Sequence, residues 1–262
     1  MRILVGNAKG GVGKSTTAVQ ILAPFLFELY GEVKVPLVEF DDENKDSETF
    51  RGSSILEARQ IPIDGIDISS VITDIVLSHE VLLVDIGGNK TTTLLLDALE
   101  RGGMIDTFDL FVIPLMNGEQ DTVNAVRIYK RVRALSLGIR IVFALSKVDK
   151  SMDLEMQFFD FFGDSKNRIN GAPGMIKEVA MEDRNIILIH NSDTIMYSRI
   201  FGDSVYEISK KSLDELKAAL AKSIKEKEDD LTRKLSYKMQ ILNKAIRYNV
   251  DTIEPCHEVL KG

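Results

Sequence analysis

The sequence predicts an α/β protein: a mostly parallel sheet with helices on both faces, followed by a C-terminal helical tail. Three observations carry this. Short apolar runs ("RILVG", "KVPLVEF", "VLLVDIGG", "LFVIPL", "RIVFAL", "IILIH") recur along the 262 residues. Helix-like stretches separate them, and buried strands alternating with helices build a parallel sheet covered on both faces. Residues able to do chemistry collect where the runs end, the edge at which such sheets bind ligands.

Taken in order, residues 1–6 form the first strand and lack the long apolar region of a secretory signal. An amphipathic run follows from Lys14 to about Tyr30. Pro36 falls inside the second apolar run, so that strand should start at or after it, or be irregular there, because proline has no ladder N–H. Residues 41–67 read as loop. Helical patterns lie near 91–101, 119–135 and 151–162, between the later strands. From about Tyr206 a charged helix of mixed sign runs to 230. Residues 231–250 then carry Arg233, Lys234, Lys238, Lys244 and Arg247 and no acid. The expected domains are 1–205, the ligand-binding unit, and 206–262, a helical extension.

A hydrophobic content of 44% allows a full core, and a net charge of −7 argues against a generally basic surface. A single cysteine, Cys256, excludes an internal disulfide framework and any Cys-x-x-Cys site, which fits a reducing, cytoplasmic setting. No apolar stretch is long enough to span a bilayer.

The densest signal is "NAKGGVGKST", residues 7–16. Residues 8–15 match the phosphate-loop pattern G-x-x-x-x-G-K-[ST] except that Ala8 stands at the first glycine. Placed between a strand and a helix, Gly10, Gly11, Val12 and Gly13 offer backbone N–H groups to phosphate oxygens, and the helix N-terminus adds positive potential. Lys14 is expected to bridge the β- and γ-phosphates, Ser15 to bind Mg²⁺, and Thr16 to reach the α-phosphate. The alternative is a glycine-rich turn without a ligand. Asp85, closing a buried strand, is the expected second Mg²⁺ contact, its alternative a helix cap. Gly87 and Gly88 after it let the backbone pass close to the γ-phosphate.

The run K-G-G-V-G-K-S-T resembles the deviant Walker A loop of the ParA/MinD family of cargo-positioning ATPases. The resemblance spans roughly residues 1–200, with its specific motifs in the first 90. It implies an ATP-dependent switch that forms a homodimer in the ATP state, with ATP and Mg²⁺ as cofactors and slow, partner-stimulated hydrolysis. Lys9 would then reach the phosphates bound by the other subunit and stabilise charge in the transition state. Asp41 in "VEFDDENKD" matches the family's water-orienting aspartate, while Asp42, Glu43 and Asp46 read as solvated loop. The family's adenine-contacting asparagine is replaced by Ser146, and Asp-Thr-Pro by Asp85-Ile86-Gly87. Lys147 and Asp149 leave a guanine reading open, and Pro114 to Asn117 are further candidates for the base pocket.

The resemblance also implies DNA as cargo, plasmid partition first, with a stimulating adaptor protein. A MinD-like membrane cycle and a metabolic enzyme of the same fold are the alternatives. A nitrogenase-reductase-like electron carrier needs two cysteines per subunit, and Cys256 is alone. For the basic stretch 231–250, with Leu231, Leu235, Leu242 and Ile246 at helical spacing, the readings are docking on the domain, DNA contact or a membrane surface. "RIYKRVR" (127–133) carries a second cluster of cations. "FFDFF" (158–162) reads as core first and partner surface second.

Overall fold

A computed structural model describes residues 1–41, 49–164 and 173–262. Asp42, Glu43 and Asp46 lie outside the described residues. Seven parallel strands form one sheet in the order β3-β2-β4-β1-β5-β6-β7. They are β1 (Arg2–Val5), β2 (Val35–Phe40), β3 (Leu56–Ile61), β4 (Leu82–Ile86), β5 (Leu110–Leu115), β6 (Arg140–Val148) and β7 (Ile186–His190). β1 lies between β4 and β5, and the chain leaves it toward β2 on one side and later crosses from β4 to β5 on the other. That reversal opens a crevice at the carboxyl end of β1.

The first helical stretch runs through α1 (Lys14–Thr17), a π turn (Ala18–Leu22) and α2 (Ala23–Leu29). Then come α3 (Ile68–Ser78), α4 (Asn89–Gly102), α5 (Glu119–Leu135), and the short α6 (Leu154–Gln157) and α7 (Phe159–Phe162). After β7 follow α8 (Asp193–Phe201), α9 (Val205–Ser209), α10 (Leu213–Glu226), α11 (Asp229–Tyr248) and α12 (Glu254–Lys261).

Alternation along the strands divides the core. Ile3, Val5, Leu37 and Leu83 face α2 and the C-terminal helices, where Ile241, Ala245, Tyr248 and Ile253 complete the same cluster. Leu4, Val38, Val84 and Phe111 face α3, α4 and α5 on the other side. α10 packs on α11 through a small separate cluster of Leu216, Leu235 and Leu242, and serine–glutamate capping boxes start α9 and α10.

Two sequence expectations change. β3 lies within the stretch read as loop: "LEARQI" is a sheet-edge strand with an alternating polar face, so it has no apolar run to announce it. β2 begins at Val35, one residue before Pro36. Pairing with β3 covers Pro36, whereas pairing with β4 begins only at Leu37, so the proline sits where one ladder has not yet started.

Candidate nucleotide site

The loop after β1 forms the floor of a cavity of about 850 Å³, a volume in the range of small-molecule sites. Gly10, Gly11, Gly13, Lys14, Ser15 and Thr16 line it from below. Gly11 and Gly13 have φ of 77° and 95°, the left-handed region that favours glycine, so the loop curls round the cavity before α1 starts. Val12 is 1% exposed and packs inward, so its side chain takes no part in lining.

Lys14 is 9% exposed, and its ammonium donates to the Lys9 carbonyl at 3.0 Å. Burial pulls its pKa below the usual lysine value, and the charges of Asp85 and Asp41 oppose that shift.

Those carboxylates share one face. Glu39 on β2 stands in register with Asp85 on β4. Asp41, two residues after Glu39, returns to the same side, and all three line the cavity. Gly87 makes this crowding feasible: its N–H donates to Phe40 O at 2.7 Å, and a Cβ there would lie 2.9 Å from Asp41 Cγ. Among the described residues no group of three or more His, Cys, Asp or Glu side chains is arranged to hold a metal by itself. Ser15 and Asp85 together suit Mg²⁺, which takes one or two protein oxygens and completes its shell with phosphate and water.

Lys9 takes a partner within its own chain. Its ammonium is ion-paired with Asp121, in the first turn of α5. Its backbone N–H donates to Asn7 Oδ1 at 3.1 Å, and Asn7 Nδ2 donates to Pro114 O at 2.7 Å, tying the loop to the end of β5.

Ser146 lies beneath the loop: it is 3% exposed, its hydroxyl has no hydrogen-bond partner among the described residues, and a Cβ on Gly13 would come within 2.5 Å of it. The next residue, Lys147, lines the cavity. It sits at a register shift between β6 and β7 with φ of 58°. Such a bulge re-aims a side chain at some backbone cost.

Arg199, on α8, lines the same cavity, although nothing local in the sequence marks it. Its neighbour Ser198 accepts from Gln20 Nε2 at 3.1 Å, and Gln20 Oε1 accepts from Val205 N at 2.7 Å, fastening α8 and α9 to the helix that begins at Lys14. A second buried anchor is Glu207, which accepts from Ser53 Oγ (3.0 Å), Ser54 N (2.6 Å) and Ser204 N (2.7 Å). Asp64 and Lys90, ion-paired at 3.4 Å, add to the rim.

Away from the cavity the cation clusters are largely matched by acids. Arg131 pairs with Asp97 and Glu100, Arg133 with Asp183, and Lys130 with Glu178. In the stretch 231–250, Lys238 pairs with Asp203 and Lys244 with Asp193, while Leu235 and Leu242 are buried. That stretch is therefore docked, with Leu231 and Ile246 left exposed. Phe158 and Phe161 are core residues. Among the described residues no helix is long and apolar enough to cross a membrane.

The strand order, the glycine loop after β1 and the acids beside it define a parallel P-loop α/β protein. No protein-family model matches the chain, and no curated protein matches it in sequence. In fold it is similar to the MinD cell division protein of Aquifex aeolicus, at 16% identity and a TM-score of 0.51, over 81% of this chain and 92% of that one. A putative plasmid partition protein from Borrelia burgdorferi B31 bound to AMPPNP gives 15% and 0.46, over 74% and 87%. Apo McdA from Cyanothece gives 14% and 0.48, over 79% and 92%. The chain has the ParA/MinD type of P-loop α/β fold.

Proposed function

We propose that the chain is an ATPase switch: ATP closes a homodimer, the dimer holds DNA or another cargo, and hydrolysis, stimulated by an adaptor protein, releases it. The observation that carries this reading is the meeting, in one cavity, of a buried lysine at a helix start with three carboxylates on one face of the sheet. In this reading residues 1–205 do the chemistry, and 206–262 complete the core on the α2 face of the sheet.

The triphosphate lies along the loop N–H groups from Gly10 to Thr16, with Lys14 between the β- and γ-phosphates. Ser15 and Asp85 hold Mg²⁺, which supplies neutralising charge to the phosphates. Asp41 orients a water toward the γ-phosphorus. A new P–O bond forms to that water, the bond to the β–γ bridging oxygen breaks, and ADP and phosphate leave. Lys9 of the partner subunit stabilises the charge that develops on the leaving oxygen and the transferred group.

Plasmid or other DNA partition is the first cargo reading. A membrane cycle is the lesser one, because the apolar stripe it would use is partly spent on packing: Leu235 and Leu242 are buried. Duplex DNA binding with ATP, ADP or no nucleotide, at low and high salt, tests the cargo. Binding that requires ATP and weakens with salt supports DNA. Absence of DNA affinity in every state sinks partition, and ATP-dependent flotation with anionic vesicles would install the membrane reading.

A further inference from the structure

The chain reaches the cavity a second time through "DIGGNKTTT", residues 85–93. After Asp85 it turns on Gly87 and Gly88 and starts α4 at Asn89. The start of α4 abuts the glycine loop: a Cβ on Gly88 would lie 3.8 Å from Gly10 N. Thr92, fully buried in the first turn, fixes that approach. Its Oγ1 lies 2.8 Å from Gly87 O and 3.2 Å from Asn7 O, and Asn7 also accepts from the Lys9 N–H. Lys90 and Thr91 line the cavity from the same turn.

A cation here stands at the wrong end of its helix. Gly88 brings no side-chain cap, the first turn holds no acid, and a helix N-terminus carries partial positive charge. Lys90 adds to a positive end that an anion would stabilise. Its partner Asp64, 3.4 Å away, comes from the segment between β3 and α3. The two side chains are 75% and 80% exposed, so water screens the pair and it yields readily to a phosphate held by the loop.

The direction of the loop decides which phosphate that is. On the nucleotide reading above, the triphosphate runs from Thr16 at its α end to Gly10 at its γ end, and α4 starts beside Gly10. We infer that Lys90 distinguishes triphosphate from diphosphate: its ammonium leaves Asp64 and binds the terminal phosphate of the nucleotide in its own subunit. Lys14, between the β- and γ-phosphates, also engages a diphosphate, and Lys9 acts from the partner. Lys90 is the cation of the same subunit that meets the γ-phosphate alone.

Calorimetric titration of the full chain with AMPPNP and with ADP, each with Mg²⁺, tests this. Lys90→Ala should weaken AMPPNP by about tenfold or more, the worth of one hydrogen bond to a charged group, and ADP by less than about threefold. Lys90→Arg should keep most of the wild-type affinity for AMPPNP, because the charge stays. Asp64→Asn should bind AMPPNP at least as tightly as wild type, and weaker binding there would deny the exchange. Both positions are exposed, so these variants keep the fold, which thermal unfolding checks. Equal losses for the two nucleotides in Lys90→Ala overturn the inference, because the lysine then does not single out the terminal phosphate. Unchanged AMPPNP affinity overturns it as well, and loss of ATP-driven dimerisation beside it would assign Lys90 to the partner subunit. Failure of the wild-type chain to bind either nucleotide is a separate result, which overturns the nucleotide reading itself.

Discussion

Lys9 and Asp121 are ion-paired across 112 positions of sequence, so the first lysine of the loop is held within its own chain. Lys9 is 43% exposed while Asp121 is 7% exposed, which makes the pair unequal. A half-exposed ion pair is worth only about 0–1 kcal/mol. Asp121 also sits in the first turn of α5, where the helix N-terminus stabilises its charge without Lys9. The lysine can therefore leave at small cost. Asp121→Asn should strengthen ATP-dependent dimerisation by up to about fivefold, the size of that lost pair. Lys9→Ala should still bind nucleotide as a monomer and fail to dimerise. Sedimentation velocity with and without ATP measures both, and normal dimerisation of Lys9→Ala would remove the trans role.

Asp41→Ala should hydrolyse ATP at least about 10²-fold more slowly, the usual worth of a positioned general base. The ATP-bound dimer should accumulate in consequence. Steady-state phosphate release checks the rate. Unchanged turnover would move the water-orienting role to Glu39, which lies on the same face.

Gly87→Ala tests the crowding at the carboxylates. Its Cβ would meet Phe40 O at 2.7 Å and Asp41 Cγ at 2.9 Å, one of them backbone and unable to swing away. Overpacking of this kind costs about 1–3 kcal/mol. Chemical denaturation should register that loss together with slower hydrolysis, since Asp41 must shift. Unaltered stability and rate would show that the strand ends give way more easily than the geometry implies.

Arg133 and Asp183 provide a pH test. The Arg133 hydrogen bond holds the Asp183 carboxyl below its usual range against the opposing effect of burial. Because the folded-state pKa is depressed, the stabilisation is fully present above the ordinary aspartate value. It is lost as pH falls through the folded value. Asp183→Asn should therefore destabilise the chain near neutrality by about 3 kcal/mol, as when one partner of a largely buried pair is removed. The gap to wild type should begin to narrow below about pH 4 and keep narrowing as pH falls through the folded value. Urea titrations at neutral pH and at a series of acid values supply the comparison, and a pH-independent gap would contradict the assignment.

Glu207→Gln probes the tie between residues 53–54 and α9. The carboxylate accepts from backbone N–H groups of both Ser54 and Ser204. An amide would turn a donor toward one of them, at a cost of about 1–3 kcal/mol for the unsatisfied group. Faster hydrogen exchange at residues 53–56 should accompany the lower melting temperature. Unchanged exchange there would mean that the tie is redundant.

Much of this was legible locally. "VLLVDIGG" announces β4, its terminal aspartate and the glycine turn, because a continuous apolar run followed by acid and glycine has few other folded solutions. "LEARQI" did not announce β3, since an edge strand buries little. α3, with its Asp67 cap, was also hidden, inside the change from loop to apolar sequence. Arg199 had no signal, because one arginine on a short amphipathic helix is indistinguishable from a solvated one. The basic stretch 231–250 showed a helix and its charge, while what it docks against depended on the sheet face beneath it.

The sequence by itself determined the glycine-rich loop between the first strand and helix, the strand-end acids and the parallel class of the fold. Each follows from residues near one another in the chain: glycines before a helix, an acid after an apolar run, and alternation of strand and helix. The tertiary structure alone decided that Lys9 rests on Asp121, that Glu39, Asp41, Asp85, Lys147 and Arg199 line one cavity, and that the C-terminal helices complete the core. Those facts depend on strand order and register, which bring distant residues to one sheet edge and which no local spacing encodes.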